Sequence, residues 1–220
     1  MIQICNVGKV FRLAEVETTV LKNISLEVKE GEFIAILGPS GCGKSTLLNI
    51  IGLLDSPTEG SYKLFGKEVA NLQAKERTQM YQGKISFVFQ ILNLIDELNI
   101  YSNIELPLVY LGIKVSARKK IVNNMLQRIQ ISHRARQYPY QLPEIHQRRA
   151  VIARAVITLP KLILIDEPTG KLNSQNSIQI MNLLTELSRE GFTIIMATHS
   201  QYEASYAHRI IELFDGTIVK

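Results

Sequence analysis

Apolar residues in this chain fall into short runs whose spacing changes along its length. Ile2–Val7, Val20–Val28 and Phe33–Leu37 read as strands, the last two separated by the turn Lys29-Glu30-Gly31-Glu32. A helix is expected over 44–53, ending near Gly52. Asp55-Ser56-Pro57-Thr58-Glu59-Gly60 then turns into the strand-like Ser61–Phe65. Ile85–Phe89 is a further strand candidate, and from about 91 to 155 the pattern becomes helical. Ile121, Val122, Met125, Leu126 and Ile129 recur there at helical spacing between polar neighbours. Strand character returns at Leu162-Ile163-Leu164-Ile165, followed by a helix over 175–190 that stops at Gly191. Phe192–Ala197 is another buried strand, and 209–220 forms a short strand pair turning at Asp215-Gly216. Alternating strands and helices imply an α/β fold with a largely parallel sheet, whose strand C-termini line the functional site.

Between the third strand and its helix stands Gly38-Pro39-Ser40-Gly41-Cys42-Gly43-Lys44-Ser45, the G-x-x-x-x-G-K-S pattern in the strand–loop–helix setting it requires. Its glycines let backbone N–H groups turn inward around phosphate oxygens, with the helix N-terminus adding partial positive charge. Lys44 can reach β- and γ-phosphates, Ser45 can complete a Mg²⁺ shell, and Thr46 opens the helix behind them. A glycine-rich turn with a surface lysine uses similar letters, but the flanking strand and helix favour nucleoside triphosphate binding.

The chain has 220 residues, 46% of them hydrophobic, which fits one α/β domain with an inserted subdomain and excludes a disordered chain. No apolar run approaches the roughly 20 residues of a membrane span. The start, Met1-Ile2-Gln3-Ile4-Cys5, does not read as a secretory signal. A disulfide between the two cysteines, Cys5 and Cys42, would obstruct the phosphate loop, so both are expected as free thiols in a reducing compartment. A net charge of +5 suits a cytoplasmic protein near anionic lipid and is equally compatible with nucleic acid.

Four apolar residues deliver Asp166-Glu167-Pro168 to a strand end, where Asp166 can hold Mg²⁺ and Glu167 can orient or polarise an attacking water. His199, after the strand ending at Ala197, can contact a γ-phosphate; a polar group satisfied at a strand end is the equal alternative. Gln90 ends another strand and can reach metal and water. Phe11 can stack on adenine, or be an ordinary core phenylalanine.

Taken together, these motifs resemble the ATP-binding-cassette (ABC) ATPases over essentially the whole chain. The phosphate loop, Gln90 after Phe87-Val88-Phe89, Asp166-Glu167-Pro168-Thr169-Gly170 and Thr198-His199 follow that family's order. The stretch Leu47–Gly60, with Asn93-Leu94 and Asn103-Ile104-Glu105-Leu106-Pro107-Leu108, is similar to the subgroup of lipoprotein-release (LolD) and macrolide-export (MacB) ATPases. The resemblance implies a P-loop core with a parallel sheet, an N-terminal antiparallel β-subdomain and an inserted α-helical subdomain at about 91–155. It implies ATP and Mg²⁺ as cofactors, Phe11 as adenine-stacking residue, Gln90 as metal and coupling residue, Glu167 as general base and His199 as switch. It also implies a second ATPase subunit, and transmembrane permease subunits on separate chains docking on the segment after Gln90 at the inner face of the membrane. No nucleic acid partner is expected.

Two departures stand out. Tyr138-Pro139-Tyr140-Gln141-Leu142 and Gln147-Arg148-Arg149-Ala150 flank the family's signature position, but Pro143-Glu144-Ile145-His146 replaces Ser-Gly-Gly-Gln. In the family that segment closes on the γ-phosphate held by a partner chain. Pro143 brings no N–H donor, Glu144 adds negative charge, and Ile145 adds a side chain where backbone must approach. Asn173 stands where a carboxylate is usual. The expectation is a homodimer with poor turnover, served by a partner with its own signature; a different backbone arrangement at 143–146 that still donates to phosphate is the alternative. Two other functions compete with the transporter ATPase: a regulatory ATP-binding module of the cell-division type with little turnover, and a soluble cassette acting on DNA or ribosomes.

Overall fold

The computed structural model describes residues 1–13, 16–170 and 172–219. Its N-terminal half begins with a long antiparallel pair, β1 (Ile2–Leu13) and β2 (Val16–Val28). Next come β3 (Phe33–Leu37), α1 (Lys44–Ile51), β4 (Glu59–Leu64), β5 (Lys67–Glu68), α2 (Ala74–Tyr81) and β6 (Ile85–Val88). Three helices follow: α3 (Ile100–Tyr110), α4 (Val115–Arg128) and α5 (Glu144–Val156). The remainder is β7 (Leu162–Asp166), α6 (Ser174–Arg189), β8 (Thr193–Thr198), α7 (Gln201–Ala204), β9 (Arg209–Phe214) and β10 (Thr217–Ile218).

A four-stranded sheet has the order β2-β1-β4-β5, and its pairs are all antiparallel. A six-stranded sheet has the order β10-β9-β3-β8-β7-β6, parallel throughout except for the terminal β9–β10 hairpin. Because β3, β7 and β8 are buried on both faces, they read as unbroken apolar runs, and alternate residues feed two different cores. Phe33, Ala35, Ile163, Ile165, Ile194 and Met196 join the cluster made by α3, α4, α5 and α6. Ile34, Ile36, Leu162, Leu164, Ile195 and Ala197 face the opposite way, onto α1 and the antiparallel sheet. The parallel strands therefore end along one edge between two packed layers, and that edge carries Leu37, Val88, Asp166 and Thr198.

Several boundaries differ from expectation. The first two strands run well beyond Val7 and begin before Val20, as a ribbon whose outer positions are exposed. The strand at Ile85 stops at Val88, one residue short of Phe89, and helix begins only at Ile100. Asn103 explains the intervening loop. Fully buried, its Oδ1 accepts from the Ile95 amide at 2.9 Å, and its Nδ2 donates to the carbonyls of Ile95, Leu98 and Asn99. One amide side chain thus ties the turn at Ile95–Leu98 to the first turn of α3.

Candidate functional site

The phosphate loop owes its shape to close backbone approaches. Gly43, with φ +106°, caps the start of α1, and Gly41 has φ +81°. Gly38 needs its missing side chain for another reason: a Cβ there would lie 2.2 Å from the Leu213 carbonyl oxygen on β9. The first α1 amide with a helical partner is that of Leu47, which donates to Gly43 O at 2.9 Å. The amides of Lys44, Ser45 and Thr46 consequently lie open at the helix start, as an anion requires. Pro39, Ser40, Gly41 and Ser45 are exposed beside them, whereas Cys42 is buried and its carbonyl accepts from the Gly216 amide at 3.1 Å.

Lys44 is only 7% exposed, and its Nζ donates to Gly38 O at 2.8 Å and Pro39 O at 2.9 Å. Two of its three donors are thereby spent on the loop that it stiffens, leaving one donor and a full charge for a ligand. Its Nζ also lies 4.0 Å from Glu167 Oε1.

Asp166 completes β7, and Glu167 follows with φ +49°, its amide donating to Ala197 O at 2.9 Å. This left-handed step turns the Glu167 side chain back toward the loop. There Oε2 lies 2.8 Å from His199 Nδ1 while Oε1 faces Lys44. Lys44, Glu167 and His199 are thus brought together, with the carboxylate largely shielded and the imidazole mostly exposed. Gln90 lines a cleft of about 770 Å³ with Glu167, His199, Glu144, Arg148 and Gly170. Ser45, Gln90 and Asp166 offer a hydroxyl, an amide and a carboxylate, the hard oxygen donors that suit Mg²⁺. Phe11 stands apart on β1. It is 45% exposed and not a core residue, and Lys9 Nζ lies 4.8 Å from its ring centroid.

At the signature position, Pro143 caps α5 and Glu144 begins it. The amides of His146 and Gln147 both turn back to Pro143 O, at 2.9 and 3.2 Å, so those of Glu144 and Ile145 remain open at the helix start. Glu144 contributes Oε1 at 3.6 Å from Arg148 Nη2. His146 is partly buried, its ring centroid 6.2 Å from that of His133. Burial, then the charges of Arg134, Arg149 and His133, hold its pKa below the ordinary imidazole value. Asn173 caps α6, its Oδ1 accepting from the Asn176 amide at 2.9 Å, a task for which asparagine matches aspartate.

Two further charged residues belong to this region. Arg148 is 2% exposed; its Nη1 donates to Gln90 O at 3.2 Å, and a Cβ on Gly170 would come within 2.5 Å of Nη2. Burial lowers its pKa, and the charges of Glu144 and Glu203 work against that shift. Glu203, buried on α7, accepts hydrogen bonds from Thr169 and Thr198. A sequence signal existed for Arg148, an arginine on the same helical stripe as Ile152 and Ala155. Glu203 sits in a helix of four residues, too short to show any period.

The ABC transporter family model matches residues 21–170. An uncharacterised ABC transporter ATP-binding protein of Methanocaldococcus jannaschii, MJ1508, is 44% identical, with 100% of this chain and 98% of that protein covered. The macrolide export ATP-binding/permease protein MacB of Bartonella henselae is 43% identical over 97% of this chain, which spans only 32% of MacB. Among solved structures, a dimer of the ATP-binding cassette MJ0796 in a post-hydrolysis state with ADP and Pi is similar at a TM-score of 0.92 and 40% identity. That match covers 100% of this chain and 97% of the other. With the phosphate loop, the strand-end carboxylates and the histidine in one cluster, the chain belongs to the ABC transporter family as an ATP-binding cassette.

Proposed function

We propose that this chain is the ATP-hydrolysing subunit of a membrane export transporter of the MacB kind. The observation that carries this reading is the Glu167 carboxylate held between Lys44 and His199 beside the phosphate loop. The loop amides and Lys44 bind the β- and γ-phosphates, and Phe11 stacks on the adenine. Ser45, Gln90 and Asp166 would hold Mg²⁺, which would supply positive charge to the phosphate oxygens. Water attacks the γ-phosphorus in line, its proton passes to Glu167, and ADP leaves. His199 Nδ1, 2.8 Å from Glu167 Oε2, orients the carboxylate and leaves the exposed edge of the imidazole for the γ-phosphate.

Two chains meet head to tail, so that the start of α5 closes on the nucleotide of the partner. Here that surface offers the amides of Glu144 and Ile145 but also the Glu144 carboxylate. Turnover by a homodimer is therefore low, and a partner cassette with serine and glycines at this position supplies the stronger half-site. Permease subunits dock beside the segment after Gln90. A groove of about 510 Å³ lies there, lined by Tyr81, Phe87, Phe89, Leu106, Pro107 and Tyr110 among others. Arg154, which also lines it, donates from Nη2 to Leu92 O at 3.4 Å. No helix among the described residues is long and apolar enough to cross a membrane. The reading places the chain on the cytoplasmic face, bound to its permease.

ATP hydrolysis by the purified chain tests this, alone and with Pro143-Glu144-Ile145-His146 replaced by Ser-Gly-Gly-Gln. A gain of about tenfold or more, about 1.4 kcal/mol off the barrier, supports the weakened half-site. A native rate equal to the restored one makes the homodimer the enzyme. Tight ATP binding without turnover in either form favours the regulatory module instead, a reading that draws on the Glu144 charge at α5. Glu167→Gln abolishes hydrolysis and spares ATP binding; full activity in that variant removes Glu167 from the reaction.

A further inference from the structure

Glu203 is 7% exposed, yet it belongs to neither the phosphate loop nor the strand-end carboxylates. Both of its oxygens are occupied. Thr169 Oγ1 donates to Oε1, and Thr198 Oγ1 donates to Oε2 at 2.6 Å. Thr169 lies on the loop after β7, and Thr198 ends β8. Thr169 is two residues past Glu167 and Thr198 immediately precedes His199. The same two strand ends meet again where His199 Nδ1 lies 2.8 Å from Glu167 Oε2. Their backbones are joined by the Glu167 amide on Ala197 O at 2.9 Å. Glu167, Thr169, Glu203, Thr198 and His199 therefore form a closed ring, of which the Glu203 carboxylate is the far side. Thr198 extends it in two directions, its Oγ1 accepting from the Ser200 amide at 3.0 Å and its carbonyl from the Gly38 amide of the phosphate loop at 3.3 Å.

We infer that Glu203 is a positioning residue: by clamping Thr169 to Thr198 it sets the separation of the two strand ends, and hence the 2.8 Å contact of His199 Nδ1 with Glu167 Oε2. Only an acceptor with two oxygens spans both hydroxyls, since each threonine uses its single O–H as donor. Among the described residues no Lys, Arg or His lies within ion-pair distance of Glu203. The charge is met instead by two charge-assisted hydrogen bonds and by the field of Arg148 across from Gly170. A buried carboxylate held this way is costly unless both hydroxyls stay in place, which ties the loop spacing to one geometry. This inference rests on the roles proposed above for Glu167 and His199.

The test uses the full chain, with the imidazole ¹⁵N resonances of His199 read alongside kcat and ATP affinity. Glu203→Ala, and separately Thr169→Val, move the His199 Nδ1 resonance from its position beside the Glu167 carboxylate toward the average of a free ring. The same variants lower kcat by about 10- to 100-fold and leave ATP affinity within about twofold. Glu203→Gln keeps one acceptor oxygen and recovers part of both losses. The inference is overturned if the His199 resonances stay in place in Glu203→Ala, or in Thr169→Val should the alanine variant fail to fold. A drop in kcat without that movement also overturns it, since the carboxylate then only supports the fold. If Glu167→Gln hydrolyses ATP normally, the proposed base role fails, while the His199 resonance still reports the clamp.

Discussion

Replacing Gly38 by alanine separates two reasons for a glycine in the phosphate loop. The new Cβ would stand 2.2 Å from Leu213 O and 2.7 Å from Cys42 Sγ. Ordinary contact requires the backbones to part by about 1 Å. Neither side yields readily: Leu37, just before Gly38, pairs with Glu212 on β9, and Leu213 pairs with Ile218 on β10. Overpacking of this kind costs about 1–3 kcal/mol, and the upper end applies because the obstacle is backbone. For a chain of this length, about 3 kcal/mol lowers the melting temperature by about 6–12 °C. A displacement of about 1 Å in the loop also lowers turnover by about 100-fold. Gly41→Ala is the control, since nothing lies within 4 Å of its Cβ and only the φ of +81° is strained. It should cost about 1–2 kcal/mol. Thermal unfolding without nucleotide, with ATP binding measured alongside, distinguishes them. Equal losses in the two variants would refute the steric account, as would rescue of Gly38→Ala by Cys42→Ala, because the blocking atom is a carbonyl oxygen.

Three other outcomes are expected. The folded chain holds His146 below its ordinary pKa, so the unfolded chain takes up a proton first as pH falls. Stability is thus level above about pH 6.5 and declines below it, a slope that His146→Gln should flatten in urea titrations at several pH values. Tyr62 is buried with its hydroxyl donating to Ile51 O at 2.6 Å; Tyr62→Phe strands that carbonyl and costs about 1–2 kcal/mol by urea unfolding, with ATP affinity unchanged. Phe11→Ala should leave stability within about 0.5 kcal/mol and weaken ATP binding about tenfold by calorimetry, because the ring is exposed.

The site was legible where function dictates a contiguous pattern. The phosphate loop, Asp166-Glu167 and His199 each adjoin a run of residues buried on both faces, so strand and chemistry announce each other. Strands buried on one face or neither were harder. The ribbon at Val16–Leu21 carries Glu17, Thr18 and Thr19 outward, and nothing in its alternation fixes where pairing begins. Helix α2 was invisible because it has no buried residue and so no apolar stripe; its start is set by Glu76, whose side chain accepts from the Gln73 amide. Glu203 was unreadable for a different reason. Its partners Thr169 and Thr198 are 34 and 5 residues away in sequence, and only the parallel register of β7 beside β8 makes them neighbours.

The left-handed backbone of Glu167 sets stability against the base role proposed for it at a single position. A glutamate at φ +49° gives up about 1 kcal/mol or more that glycine or asparagine would not, since their smaller or self-bonding side chains tolerate this region. Selecting variants of this chain for resistance to heat would therefore enrich Glu167→Gly and Glu167→Asn, and selecting for turnover would eliminate both. The residue that ordinary folding preferences would discard first is the one whose carboxylate faces Lys44 and His199.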